Sequence, residues 1–198
     1  YDLVIINFQN MKAVSYKIKT NNKEIILNLM TFKKSDRKVF KKTFNLWKKI
    51  NKIITKKLKG TRKLNLPDAL SESLVCQELG FGKLLSVKSA IKYSSSYDAY
   101  DLKNNKRIQV KCSTSTGPSS FGPKSEWDEI YFLDMWNNGD INGSYKIYKI
   151  ENDDIYNTKV NKDQKLSDQQ GQSRRPRFDL RSSIIIPKKY KPVAKGKL

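Results

Sequence analysis

Residues 36–58 contain neither glycine nor proline, and their apolar side chains Phe40, Phe44, Trp47, Ile50, Ile54 and Leu58 recur every three or four positions. That period commits the segment to one amphipathic helix, stopped by Gly60. Its polar side is almost entirely cationic: from Phe32 to Lys63 there are 14 Lys or Arg against one acid, Asp36. A solvated face that keeps the protein soluble would account for such a pattern. A run this one-sided repels itself unless an anion neutralises it, so a phosphate-contacting surface is the favoured reading, with Lys48 and Lys52 among its contacts. A membrane-surface helix fits less well, because the surrounding chain looks globular.

The whole chain carries the same bias. Its 198 residues hold 40 Lys or Arg against 19 Asp or Glu, a formal charge of +21, which makes an anionic partner the first hypothesis. The length suits one domain, or one domain with an appended arm. We divide it into residues 1–63, a β-hairpin plus the Lys-rich helix acting as a DNA-binding arm, and residues 64–198, a core that ends in a basic segment. There is no histidine. That excludes Ser-His-Asp and Cys-His catalysis, His-ligated zinc, and any nuclease with a histidine base. Cys76 and Cys112 are too few for a cysteine-only zinc site, and in their apolar runs they read as reduced core residues of a cytoplasmic protein. No apolar run is long enough to span a membrane, and no signal peptide is visible.

Leu3–Ile6 and Glu24–Leu27, flanking Asn21-Asn22, read as a hairpin or edge strands. A second helix starts near Asn65, with Pro67 in its first turn, Asp68 at the positive end of its dipole and Gly80 as its stop. Residues 97–102 and 107–113 are strand-like, with a two-residue turn at Asn104-Asn105 between them. A polar loop, Ser115–Pro123, leads to strands at about 129–135 and 145–150. A polar, basic stretch follows, and the apolar Ile184-Ile185-Ile186 closes the pattern. The fold class is α+β, with a mixed or antiparallel sheet.

Pairing across that turn sets Asp98 opposite Lys111 and Tyr100 opposite Gln109. Asp98, Gln109 and Lys111 then share one face, while Ala99, Ile108, Val110 and Cys112 share the other, which looks like core. A carboxylate, an amide oxygen and an ammonium on one face are what metal-assisted phosphodiester hydrolysis needs. The oxygens hold Mg2+, and the lysine orients or deprotonates water or steadies the charged phosphate. An ordinary cross-strand salt bridge, worth roughly 0.2–1 kcal/mol, is the competing explanation. A slip of one residue would make Asp101 the ligand instead. Glu72 falls within the helical stripe of Ala69, Val75, Cys76 and Leu79. A buried Glu needs a partner, either a metal or Lys111, unless it snorkels from a boundary position.

Asp98 followed by Gln109-Val110-Lys111 resembles the PD-(D/E)XK nuclease motif. The longer strings are more specific: Leu66-Pro67-Asp68-Ala69-Leu70-Ser71-Glu72, Ser94-Ser95-Ser96-Tyr97-Asp98, Ser120-Phe121-Gly122-Pro123, Trp127-Asp128-Glu129-Ile130-Tyr131-Phe132 and Arg174-Arg175-Pro176-Arg177-Phe178. Together they are similar to a small branch of type II restriction endonucleases that cut interrupted GC-rich palindromes of the GCNGC kind. The likeness covers roughly residues 64–186. It implies a three-layer α/β restriction-endonuclease-like core with a central mixed sheet flanked by helices, Mg2+-dependent cleavage of double-stranded DNA, and a homodimer. It further implies a bacterial cytoplasmic setting and a cognate DNA methyltransferase in the same restriction-modification system. By the same resemblance Asp98 is the metal-binding acid, Lys111 the motif lysine and Glu72 the acid from the preceding helix. Gln109 stands where the motif usually has Asp or Glu. Its oxygen can coordinate but brings no charge, so Glu72 makes up the deficit or metal affinity is lower. The Val110 carbonyl is a further ligand.

Base reading calls for Arg against guanine and Gln against adenine. Gln169, Gln170, Gln172, Arg174, Arg175 and Arg177 supply that chemistry in one stretch, unless it is only a basic loop on phosphates. Ser115, Thr116, Ser119, Ser120 and Lys124 leave the catalytic strand directly and are expected to meet DNA. The alternatives to a site-specific nuclease are a non-catalytic basic nucleic-acid-binding protein and a nuclease of the same superfamily without sequence specificity.

Overall fold

The computed structural model describes residues 13–20, 23–58, 61–89 and 96–198; Leu3–Ile6, the Asn21-Asn22 turn and Gly60 lie outside them. Strands β1 (Ala13–Thr20) and β2 (Lys23–Met30) form an antiparallel pair. A 3-10 turn, Lys34–Asp36, leads into α1 (Arg37–Lys57), and α2 is Asp68–Leu79. Then follow β3 (Gly82–Ser89), β4 (Ala99–Asp101), β5 (Lys106–Ser113), β6 (Ser119–Ser120), β7 (Glu129–Asp134) and β8 (Ser144–Ile150). Helices α3 (Asn152–Tyr156) and α4 (Leu166–Gly171), β9 (Arg177–Phe178), a π-helical turn at Arg181–Ile185 and β10 (Ala194–Lys197) complete the chain.

Eight strands form one sheet in the order β1-β2-β3-β4-β5-β7-β8-β10, and β6 pairs with β9 apart from it. Only β5 and β7 run parallel, so the sheet is mixed, as an α+β chain predicts. Alternation along the central strands gives it two apolar faces. Ile108 and Val110 of β5, Tyr131 and Leu133 of β7 and Ile147 of β8 pack with Phe40, Phe44 and Trp47 of α1 and Leu70, Leu74 and Val75 of α2. Ile130, Phe132, Tyr148 and Ile150 point the other way, against Phe121, Trp127, Ile155, Leu166, Phe178 and Ile184. The first face buries the Lys-rich helix in the same core as residues 64–198.

Helix α1 departs from its pattern at two positions. Ile50 and Leu58 are 47% and 55% exposed, whereas Asn51 is buried. The Asn51 side chain behaves like a strand partner for the connector after the helix: its Oδ1 accepts from Leu64 N at 2.8 Å and its Nδ2 donates to Leu64 O at 3.2 Å. Trp47 Nε1 donates to the carbonyls of Leu64 and Asn65 at 3.1 and 2.9 Å. Satisfying otherwise orphaned backbone groups outweighs one isoleucine's burial. In α2 the first helical residue is Asp68, with Pro67 as its cap, and Ala69 is exposed while Leu70 and Leu74 are core. The isoleucine run is helical: Ile184 and Ile185 are buried and Ile186 is exposed. Strands β1, β3, β6, β9 and β10 and helices α3 and α4 were not anticipated; β6, β9, β10, α3 and α4 are too short for a periodic pattern to show.

Arg181, in the π-helical turn, makes a bidentate pair with Asp134 at the end of β7: Nε–Oδ2 is 2.9 Å and Nη2–Oδ1 is 2.5 Å. Its Nη1 also donates to the Ser115 carbonyl at 3.3 Å, tying down the loop that leaves β5. The two side chains are 13% and 9% exposed. Removing one partner leaves a nearly buried charge uncompensated, so Arg181→Met should lower unfolding stability by roughly 3 kcal/mol, and Arg181→Met/Asp134→Leu should recover much of it. Urea denaturation of the two variants checks this.

Candidate active site

Strand β4 is three residues long, and its brevity makes the site. It pairs with β5 as Ala99–Ile108, Tyr100–Arg107 and Asp101–Lys106, after which Asp98 N donates to Ile108 O at 2.9 Å. From Val110 onward the β5 edge on that side has no β4 residue to pair with. Asp98 meets the edge with its side chain instead: Oδ2 accepts from Val110 N at 2.8 Å and from the Gln109 amide nitrogen.

This register differs by two residues from the one that a two-residue turn dictates. The loop holds four residues, Leu102–Asn105, with Asn105 at φ 55°. The Asp101 carboxylate closes it by accepting from Lys103 N at 2.9 Å and Asn104 Nδ2 at 2.7 Å. Asp98 therefore lies opposite Gln109 and not opposite Lys111. A shift of two leaves every side chain on its original face, so Asp98, Gln109 and Lys111 still converge. Asp101 ends β4 opposite Lys106, so the one-residue slip that would set it opposite Gln109 does not occur. Among the described residues no ion pair joins Lys111 to Asp98; the Lys111 ammonium lies 5.5 Å from the centre of the Phe121 ring.

These groups open onto a cavity of about 500 Å³. Asp98, Gln109, Val110 and Lys111 line it from the sheet, and Asp68 and Glu72 from α2. Ser115, Ser119, Ser120 and Arg177 line it from the β6–β9 side, and Arg62 from the α1–α2 connector. The partner of Glu72 is neither Lys111 nor an apolar boundary: Lys83 of β3 forms an ion pair with it, both side chains being largely buried. Burial raises the Glu72 pKa above the usual carboxylate range, against the opposing hydrogen bond from Lys83. Burial likewise pushes Asp98 up, against the Val110 N–H and the charge of Lys111. It pulls Lys111 down, opposed by Asp98, Asp68 and Glu72. Both cysteine thiols are free and raised by burial. Asp68 was read only as a helix-end charge. Its spacing of four from Glu72, which puts the two on one side of α2, was the available signal. Lys83 had none, because β3 was unforeseen.

The other expected DNA contacts divide. Thr116 and Lys124 are exposed, off the cavity wall. Gln169 is buried, donating to Gln164 Oε1 at 3.2 Å. Gln170 donates to the Gly122 carbonyl at 2.7 Å, and Gln172 and Arg174 both contact Gln164, at 3.1 and 3.4 Å. Arg174, Arg175 and Arg177 are exposed. Of this stretch, then, the arginines face outward while Gln169 and Gln170 serve α4 packing. Lys48 and Lys52 line a separate cleft. The orphan hydroxyl is Ser120 Oγ, buried without a hydrogen-bond partner among the described residues.

The donor set is compatible with a hard divalent cation. Asp98 Oδ2 takes both hydrogen bonds, so Oδ1 has no partner among the described residues, and the Gln109 amide nitrogen spans Asp98 and the Val110 carbonyl, 3.4 Å away. That nitrogen lies between two acceptor oxygens, as a cation would. Turning the amide over presents its oxygen. No cluster of three His, Cys, Asp or Glu side chains among the described residues could hold a metal unaided. The set suits an ion such as Mg2+, which keeps several waters and takes one or two carboxylates.

A short β4, a split sheet edge and acid, amide and lysine groups in a cationic, histidine-free protein are compatible with a metal-assisted nuclease site. Residues 32–187 match the family model described as Bsp6I restriction endonuclease. The chain is also 34% identical over 177 residues to the type II restriction enzyme Bsp6I of Bacillus sp. (strain RFL6), covering 86% of this chain and 94% of that protein. The chain belongs to the Bsp6I restriction endonuclease family, and so to the type II restriction endonucleases. Enzymes of this class generally need a divalent metal. No solved structure matches the chain. Among the described residues no helix is long and apolar enough to cross a membrane.

The ion pair with Lys83 opposes the effect of burial on Glu72. Lys83→Met should raise the Glu72 pKa further, since burial then acts unopposed by that hydrogen bond. Carboxyl 13C titration of the variant reads the shift; an unchanged or lower Glu72 pKa would contradict the assignment.

Proposed function

We propose that this cavity hydrolyses one phosphodiester bond of double-stranded DNA with Mg2+, at a short GC-rich palindrome. The single observation that carries this reading is the Asp98 carboxylate, fixed through Oδ2 to the Val110 N–H, with Oδ1 unpartnered among the described residues. Asp98, the Val110 carbonyl, Gln109 and Glu72 would hold the metal, which lowers the pKa of bound water and offsets charge on the phosphate. Lys111, whose pKa burial lowers, stands on the same side to orient the attacking water or take its proton. Ser120 Oγ has a hydrogen bond to give and meets a phosphate oxygen. Ser115 and Ser119 line the same wall, and Arg177 sits beside them to meet a phosphate or a guanine. Arg174 and Arg175 are the better base readers of their stretch, being exposed where Gln169 and Gln170 are occupied.

The α/β/α layering supports a restriction-endonuclease-like fold. A palindrome is read most simply by a two-fold homodimer, and α1 leaves Val39, Leu46, Ile50 and Ile53 exposed as an apolar surface. A cognate DNA methyltransferase and a bacterial cytoplasmic setting complete the reading.

Plasmid DNA incubated with the protein should give discrete bands with Mg2+ and none with EDTA; a smear would indicate cutting without specificity. Asp98→Ala and Lys111→Ala should each abolish cleavage, by at least about 100-fold, while binding to DNA in a gel-shift assay persists. Joint loss of folding and binding in both variants would make the pair structural. Gln109→Glu adds the missing charge, so half-maximal cleavage should need several-fold less Mg2+. Without metal the variant should melt lower, because two carboxylates then meet at Val110.

A further inference from the structure

The cations of α1 do not form one surface. Lys48, Lys52 and Lys56 recur every fourth residue and line a cleft of about 750 Å³, whereas Lys38, Lys41, Lys42 and Lys49 border a different hollow. The far walls of that cleft are the α1–α2 connector, which brings Arg62 and Lys63, and the β7–β8 turn, which brings the half-buried Trp136. The connector is held rigidly, because Asn51 and Trp47 use their polar atoms to fix Leu64 and Asn65. Arg62, Asn65 and Ser115 line both this cleft and the catalytic cavity, so the two hollows adjoin.

Five cations around a trough that adjoins the proposed catalytic cavity fit a polyanion that passes along both. We infer that this cleft is the binding channel for the DNA backbone flanking the scissile phosphate on one side, with Lys48, Lys52, Lys56, Arg62 and Lys63 on successive phosphates and Trp136 packed against a deoxyribose. The inference rests on the cleavage reading for its starting point, the scissile phosphate, but its binding arm does not require turnover. The channel explains why Asn51 occupies a core position that the helical pattern reserves for an apolar residue: it keeps Arg62 and Lys63 facing the lysines of α1.

Phosphate contacts of this kind release counterions, about 0.9 in the salt slope for each one. The test uses a defined duplex centred on an interrupted GC-rich palindrome of the GCNGC kind, with Ca2+ in place of Mg2+. Lys56→Gln/Lys63→Gln should lower the slope of log Kd against log salt by about 2 and shorten the hydroxyl-radical footprint on one flank only. Lys38→Gln/Lys42→Gln, on the other hollow, should change neither. DNA should quench the tryptophan fluorescence of the native protein, and Trp136→Phe should lose most of that quenching, since Trp47 and Trp127 are buried. An unchanged slope and footprint in the channel variant, or equal losses in the two lysine pairs, would overturn the channel. Absence of cleavage in the native protein, with the slope and footprint behaving as expected, would overturn the cleavage reading alone.

Discussion

One hydrogen bond organises this molecule: Val110 N–H to the Asp98 carboxylate, made where a backbone carbonyl of β4 would otherwise continue the ladder. Because β4 stops at three residues, the sheet parts between β4 and β5 at this point. The edge of β5 that would be spent on pairing becomes a wall. A backbone donor next to a carboxylate both anchors the acid and favours its charged form, against the burial that disfavours it. Everything chemically notable lies around that opening: Glu72 and Asp68 from the helix above, Lys111 one step along the strand, and Ser120 across the cavity.

The rest of the architecture keeps this opening in place. Helices α1 and α2 cover one face of the sheet, so the helix that brings the acids is seated on the strand that brings Lys111. The Arg181–Asp134 pair holds the loop after β5 from the opposite side. Part of the excess positive charge, costly to a compact chain, lines the adjoining cleft, where a polyphosphate would offset it. The Glu72–Lys83 pair is a different arrangement of the same physics. A largely buried carboxylate, its pKa raised by burial, is paired with a cation from a strand that separates from β4 after two paired residues.

Charge, helix periodicity and the spacing of Asp98, Gln109 and Lys111 were legible in the chain itself. So were α1, α2 with its left-handed Gly80 at φ 77°, and strands β5, β7 and β8. Side-chain alternation has a period of two, so the face shared by the three residues survived a wrong turn length. The opposition of Asp98 to Lys111 did not survive, because loop length depends on whether Asp101 prefers to close a turn or extend a strand. That choice is settled by two backbone donors and an amide, and no periodic pattern announces it.

Residue types and their order therefore bounded the chemistry available: carboxylate, amide and ammonium groups without histidine on a cationic α+β protein. Tertiary structure alone decided which polar groups are free to act. Gln169 and Gln170 look like base readers in the sequence, yet packing assigns their amides to Gln164 and Gly122. Lys83 and Asp68 look ordinary, yet the meeting of β3, α2 and β5 brings them to the acids. The reason is that a hydrogen bond or ion pair is fixed by proximity in space, and proximity between residues far apart in the chain is a property of the packed sheet and helices.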